Sequence, residues 1–110
     1  MSKPTLMANC RKIGNLLITS GITGRPGDVA AQTRNILEKI KQILETNGTS
    51  LKHVLKCTVY LADMRDRDPT LNSIWREYFP ENPPARTTVQ AGLGPETYVE
   101  IEVIAEIPSK

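Results

Sequence analysis

The sequence predicts an α+β domain in which one β-sheet is backed on a single face by two α-helices. Three observations predict it. Apolar residues recur at helical spacing in two stretches, around 29–44 and 71–79. They alternate with polar residues at 54–62 and 98–107, and a third short strand follows the prolines at 86–91. Together with two short strands near the N-terminus, the order is β-β-α-β-α-β-β. At 110 residues the chain is read as one domain, 1–110.

The elements follow in order. Arg11 to Ser20 reads as two short strands broken at Gly14-Asn15, a dipeptide with hairpin chemistry. Gly21, Gly24, Pro26 and Gly27 predict a loop. Asp28 is an N-cap. Val29, Thr33, Ile36, Leu37, Ile40, Ile43 and Leu44 make one stripe, and Gly48 after Asn47 is a stop, so a helix is expected over 28–47. Ser50 to His53 predicts a turn. In the strand 54–62, Leu55, Cys57, Val59 and Leu61 are expected on one face, with Lys56, Thr58 and Tyr60 on the other. Asp68-Pro69 supplies an N-cap and a first-position proline for the second helix, whose stripe is Leu71, Ile74, Trp75, Tyr78 and Phe79. Pro80, Pro83 and Pro84 end it. Strand 86–91, a turn at 92–96 and strand 98–107 close the chain. Two helices cover only one sheet face, yet Leu16 and Ile18 point to one side and Leu17 to the other. The second face is therefore expected to be partly buried by self-association in a closed homo-oligomer.

Composition excludes several classes. No apolar run approaches the roughly 18–20 residues of a membrane span. Met1-Ser2-Lys3-Pro4 holds no apolar core, so no signal peptide is expected and the cytoplasm is the default address. Net charge is +2, and Arg65 and Arg67 alternate with Asp66 and Asp68, so nucleic acid is a poor partner. Cys10 and Cys57 make no disulfide framework. With His53 as the single histidine, no metal site is expected.

The residues best suited to chemistry follow the prolines. Pro83-Pro84-Ala85 rigidifies the approach to Arg86, and Arg86, Thr88 and Gln90 share a strand face. Glu100, Glu102 and Glu106 share a face of the last strand. If these two strands pair as a hairpin, a guanidinium that can clamp a carboxylate gathers with carboxylates that can hold water. The same cluster also fits a plain ion-pair network. His53 reads as a surface or hydrogen-bonded histidine, Cys57 as a small core residue, and Trp75 with Tyr78 as core or rim. Ser20 has no sequence-adjacent base, and the 21–27 loop has no phosphate-loop pattern.

Ile13-Gly14-Asn15-Leu16-Leu17-Ile18-Thr19-Ser20-Gly21 resembles the Gly-Asn-hydrophobic-Ser-Gly signature of the Rid family, the reactive intermediate deaminases or YjgF-like proteins. Val54 to Asp63, Pro84 to Val89 and Val99 to Ala105 resemble its other hallmarks, so the likeness runs from about Cys10 to Ile107. It implies a chorismate-mutase-like α+β fold with a single mixed β-sheet, assembled as a homotrimer with sheets facing inward and clefts between subunits. It implies hydrolysis of enamines and 2-imino acids such as 2-aminoacrylate to 2-keto acids and ammonia, without metal or organic cofactor. By the same resemblance Arg86 binds the substrate carboxylate and Glu100 positions the attacking water. Ser20, Gly21 and Asn72 line the cleft, and Thr88 stands where many members have cysteine.

One position departs from the family. Members with deaminase activity usually carry a tyrosine where this chain has Met7, and a thioether cannot donate a hydrogen bond. Tyr98 is a conceivable substitute. The second reading is a non-catalytic module that senses a small metabolite in the same cleft. A third, an RNA-directed role, is opposed by the absence of clustered Lys and Arg.

Overall fold

The structure is a computed structural model and describes residues 5–109. It contains β1 (Cys10–Ile13), β2 (Leu16–Thr19), β3 (Ile22–Thr23), α1 (Val29–Thr46), β4 (Val54–Leu61), α2 (Asn72–Tyr78), β5 (Ala85–Gln90) and β6 (Val99–Glu106). All six strands form one mixed sheet in the order β1-β2-β6-β4-β5, with β3 also pairing β6. Only β4 and β5 run parallel; every other pair is antiparallel.

The hairpin is where the sequence put it. Gly14 takes the left-handed conformation at φ +56° that a tight β1–β2 turn needs, and Ile13 then faces Leu16. The loop expected after Gly21 contains a further short strand. β2 pairs Glu106 to Ile104 and β3 pairs Ile101 and Glu100, so the two form one edge of β6 interrupted at Ser20-Gly21. The Thr19 hydroxyl spans the interruption by accepting from the Val103 amide at 3.0 Å.

Helix α1 begins at Asp28, whose carboxylate accepts from the Ala31 amide at 2.9 Å, and stops before Gly48 at φ +83°. It buries Ile36, Leu37, Ile40 and Leu44 as expected, but also Gln32 and Thr33. Helix α2 is shorter than the sequence predicts. Pro69 lies in an irregular turn, Arg67–Leu71, and the regular helix starts at Asn72. Its apolar stripe is intact: Leu71, Ile74, Trp75 and Phe79 are buried, with the Trp75 and Phe79 rings 4.8 Å apart.

Two expectations are corrected. In β4 the register slips between Val54 and Lys56, so Val54 enters the core and Leu55 turns outward, half exposed. The pairing of the last two strands is also different. β5 and β6 do not form a hairpin; both pair with β4, which lies between them. β4 and β5 are joined through α2, a crossover that makes them parallel. The connection to β6 then crosses the end of β4, where Ala91 donates to Leu61 O and Ala62 donates to Tyr98 O.

Register assigns the faces. Arg86 lies opposite Cys57, which lies opposite Val103, on the face covered by the helices. Glu100 and Val89 both lie opposite Tyr60 on the uncovered face. That uncovered face is apolar at its β1–β2–β6 end: Ile18 pairs with Ile104, and they are 48% and 38% exposed, while Ile13 is 78% exposed. A two-sided apolar β2 is therefore observed, with Leu17 fully buried on the helix side. No helix among the described residues is long and apolar enough to cross a membrane.

Candidate functional site

Arg86 is half-buried at the edge strand β5. Its Nη2 donates to Asn72 Oδ1 at 2.8 Å, and its guanidinium lies over the Trp75 ring, 5.0 Å from the centroid. Asn72 and Trp75 are three residues apart and so share one face of α2. Together they fix the plane and direction of the guanidinium. Among the described residues the ion pairs are Arg34–Glu77 and Arg65–Asp63, so Arg86 has no carboxylate partner. Burial, and then the positive charge of Arg67, hold its pKa below the usual arginine range. An oriented, partly desolvated guanidinium without a counter-ion has the chemistry to receive a carboxylate.

Cys57 lies beside Arg86, on the neighbouring strand β4, and is fully buried. Burial pushes its thiol up to about 12, and the Arg86 charge offsets this only in part, so it stays an inert thiol as the strand pattern suggested. Thr88 follows two residues along the same face. Gln90, next on that face, accepts from the Met64 amide through Oε1 at 2.8 Å. The segment between Met64 and Asn72 is thus tied to β5 at both ends, by Gln90 and by Arg86.

A second cluster gathers on the other side. The Ser20 hydroxyl donates to Ala8 O at 2.5 Å, and the Ser20 amide donates to Asn9 O at 2.9 Å. These bonds draw Ala8 and Asn9 onto the β2–β3 interruption, while Met7, the residue before them, is 66% exposed. Gly21 faces Glu100 so closely that a Cβ there would overlap the carboxylate, with Cδ at 2.8 Å and Cγ at 3.1 Å. Beside Glu100, Glu102 accepts from the Tyr60 hydroxyl at 2.9 Å, which raises the phenol's pKa. Tyr98 lies in a hollow with Arg25, Pro26, Gly27 and Glu96.

The expected site residues therefore form two groups. Arg86, Asn72 and Thr88 belong to the helix-covered face, and Ser20, Gly21 and Glu100 meet where β3 joins β6. The expectation that Arg86, Thr88 and Glu100 share one surface of a protomer fails, because β4 separates their strands and the registers have opposite parity. Among the described residues no three His, Cys, Asp or Glu side chains gather as a metal site. Sequence reasoning missed the part played by Trp75, which it took as core or rim. The signal was available in the i, i+3 spacing of Asn72 and Trp75. Gln90 and the buried Gln32 carried no such signal.

Comparison with known proteins shows the family to which this fold belongs. Residues 8–107 match the family model described as Endoribonuclease L-PSP, to which the YjgF and RidA proteins belong. The chain belongs to the YjgF/RidA family. Among its relatives, a RutC family protein of Pyrococcus horikoshii is 45% identical, over 86% of this chain and 81% of the relative. The 3-aminoacrylate deaminase RutC of Acinetobacter baylyi is 42% identical, over 87% and 82%. Among solved structures, a YjgF-family protein of Neisseria meningitidis superposes with a TM-score of 0.91 at 31% identity, covering 98% of this chain and 92% of that one. RidA of the Antarctic bacterium Psychrobacter sp. PAMC 21119 gives 0.86 at 34%, covering 96% and 92%. The YjgF/RidA fold expected from the sequence is thus the observed one, and deamination of reactive intermediates is an activity found within this family.

Proposed function

We propose that the chain hydrolyses 2-imino acids and their enamine tautomers, of the 2-aminoacrylate type, to 2-keto acids and ammonia. The observation that carries this reading is the unpaired guanidinium of Arg86, oriented by Asn72 and Trp75. The substrate carboxylate accepts from Arg86. Water adds to the C=N carbon to give a carbinolamine, the amine nitrogen takes a proton, and ammonia leaves as C=O forms. Imines react readily with water, so orienting the two reactants supplies much of the acceleration. Glu100 holds the water and passes the proton. No step calls for a metal or organic cofactor.

Arg86 and Glu100 lie on opposite faces of one protomer. They serve one substrate only if Arg86 of one copy meets Glu100 of another, so the reading requires a homo-oligomer with clefts between subunits. A homotrimer closed around the uncovered sheet face supplies this and covers Ile13, Ile18 and Ile104. An RNA-directed role receives little support from the basic side chains. Arg34 and Arg65 are ion-paired, and Arg25, Lys39 and Lys56 donate to Pro95 O, Thr23 O and the Thr87 hydroxyl. A second reading, a metabolite-sensing trimer, is favoured by Met7, which brings no hydroxyl to the Ser20–Glu100 group.

The test generates imines in situ with an amino-acid oxidase, uses semicarbazide as a competing trap, and includes 3-aminoacrylate as a further substrate. Diversion of imine to keto acid by the wild-type protein is expected. Glu100→Gln keeps the shape but loses the proton relay, and a drop in kcat/KM of about 100-fold is expected, at the low end for acid–base groups. Gly21→Ala displaces the same carboxylate by steric overlap. A loss of about tenfold is expected, with a melting temperature within a few degrees of wild type because the Glu100 side chain can rotate away. Ligand-induced protection without turnover in the wild type would instead assign the sensor role.

A further inference from the structure

Two carboxylates stand side by side on the uncovered face of β6, and their surroundings differ. Glu100 and Glu102 share one strand face, about 7 Å apart along the strand, and both are half-buried. Glu102 accepts from the Tyr60 hydroxyl through Oε1 at 2.9 Å. Glu100 accepts from no side chain or amide among the described residues, and the bare Gly21 backbone leaves room for its Oε2. Register makes the Tyr60 contact a diagonal one. The residue opposite Tyr60 is Glu100, and the residue opposite Glu102 is Thr58. Diagonal cross-strand neighbours lie within reach of an aromatic side chain, so a ring rooted beside Glu100 presents its hydroxyl to the other carboxylate. The hydrogen bond to Glu102, then burial, then the charges of Glu102 and Glu100 raise the pKa of the phenol, so it stays a donor through the neutral range. A carboxylate oxygen that accepts from a phenol has a lone pair engaged and a fixed direction. The neighbouring carboxylate keeps its oxygens for water.

We propose that Tyr60 is a positioning residue that selects Glu100, and not Glu102, as the base of the site: by engaging Glu102 it leaves one carboxylate free to hold the water. The inference rests on the reading of Glu100 as the group that holds water and passes the proton. The experiment measures the loss of kcat/KM caused by Glu100→Gln in three backgrounds, with the imine formed in situ from alanine by an amino-acid oxidase and with thermal melts alongside. In wild type the loss is expected to be about 100-fold. In Tyr60→Phe, which keeps the ring, Glu102 is released to stand in from an imperfect position, and the loss is expected to shrink to about tenfold. In Tyr60→Phe/Glu102→Gln the stand-in is gone, and the loss is expected to return to about 100-fold. A merely structural hydroxyl would lower rates or melting temperature without changing these ratios. The same loss in all three backgrounds, or a loss that stays small once Glu102 is replaced, overturns the role of Tyr60 and leaves the deaminase reading standing. An undiminished rate on placing Glu100→Gln in the wild type overturns the roles of Glu100 and Tyr60 together. Failure of the wild type to hydrolyse the imine overturns the deaminase reading as well.

Discussion

Replacing Arg86 with alanine is expected to lower kcat/KM for imine hydrolysis about 10³-fold while the protein still folds. The guanidinium offers two charge-assisted hydrogen bonds to a carboxylate, each worth roughly 1.5–3 kcal/mol. Loss of about 4 kcal/mol corresponds to about a thousandfold. The fold is expected to survive because Arg86 sits on an edge strand and its contacts are one hydrogen bond and the Trp75 face. Arg86→Lys separates charge from shape. Lysine keeps the charge but loses the planar fork and the stacking on Trp75, so an intermediate rate is expected. Steady-state kinetics with the in-situ imine assay, alongside thermal melts of each variant, checks both points. Wild-type kinetics in Arg86→Ala would remove this residue from the site.

The largest effect on stability is expected at Gln32. Its side chain is fully buried and makes three hydrogen bonds: Nε2 donates to Gly27 O at 2.8 Å and to Glu96 O at 2.9 Å, and Oε1 accepts from the Tyr98 amide at 2.9 Å. One amide thus joins the loop before α1 to the turn before β6. Gln32→Leu keeps the volume roughly but strands three backbone groups, of which water can reach some. A loss of about 3 kcal/mol follows, or roughly 15 °C in melting temperature for a chain of this size. Gln32→Glu is expected to be less damaging in acid than at neutral pH. A protonated carboxyl can donate to one of the two carbonyls, whereas a carboxylate is repelled by both. Its pKa in the folded state is thereby raised, so the stability is present at low pH and lost as pH rises through that value. Melts at two pH values measure this directly. A variant as stable as wild type would mean that the two loops hold together without the bridge.

These residues also mark where the sequence could be read and where it could not. Alternation in Val99–Glu106 and the stripe from Ile36 to Leu44 are local, so the strand and helix were visible, as was the Gly14 turn. Leu55 was misplaced because a one-residue slip in β4 leaves no local trace. The position of β5 beyond β4 was misjudged for a related reason: an alternating pattern says which residues share a face, not which strand lies alongside. Gln32 gave no local signal, because its partners are backbone groups 5 and 64 residues away. Of the candidate site, Arg86, Thr88 and Glu100 were singled out by strand pattern, whereas Ser20, Gly21 and Asn72 and all the individual roles came from family resemblance. Their division between two faces came only from the register.

That division has a consequence for how such a protein can change. On the proposed reading, every cleft is a seam, and its two lips are inherited from one gene but supplied by different molecules. A substitution at the seam alters all the sites at once and alters both catalysis and assembly. Dilution alone can then silence the chemistry while each molecule remains folded. The exposed isoleucines at one end of the sheet, which touch no substrate, stand in the same line of descent as the arginine that does.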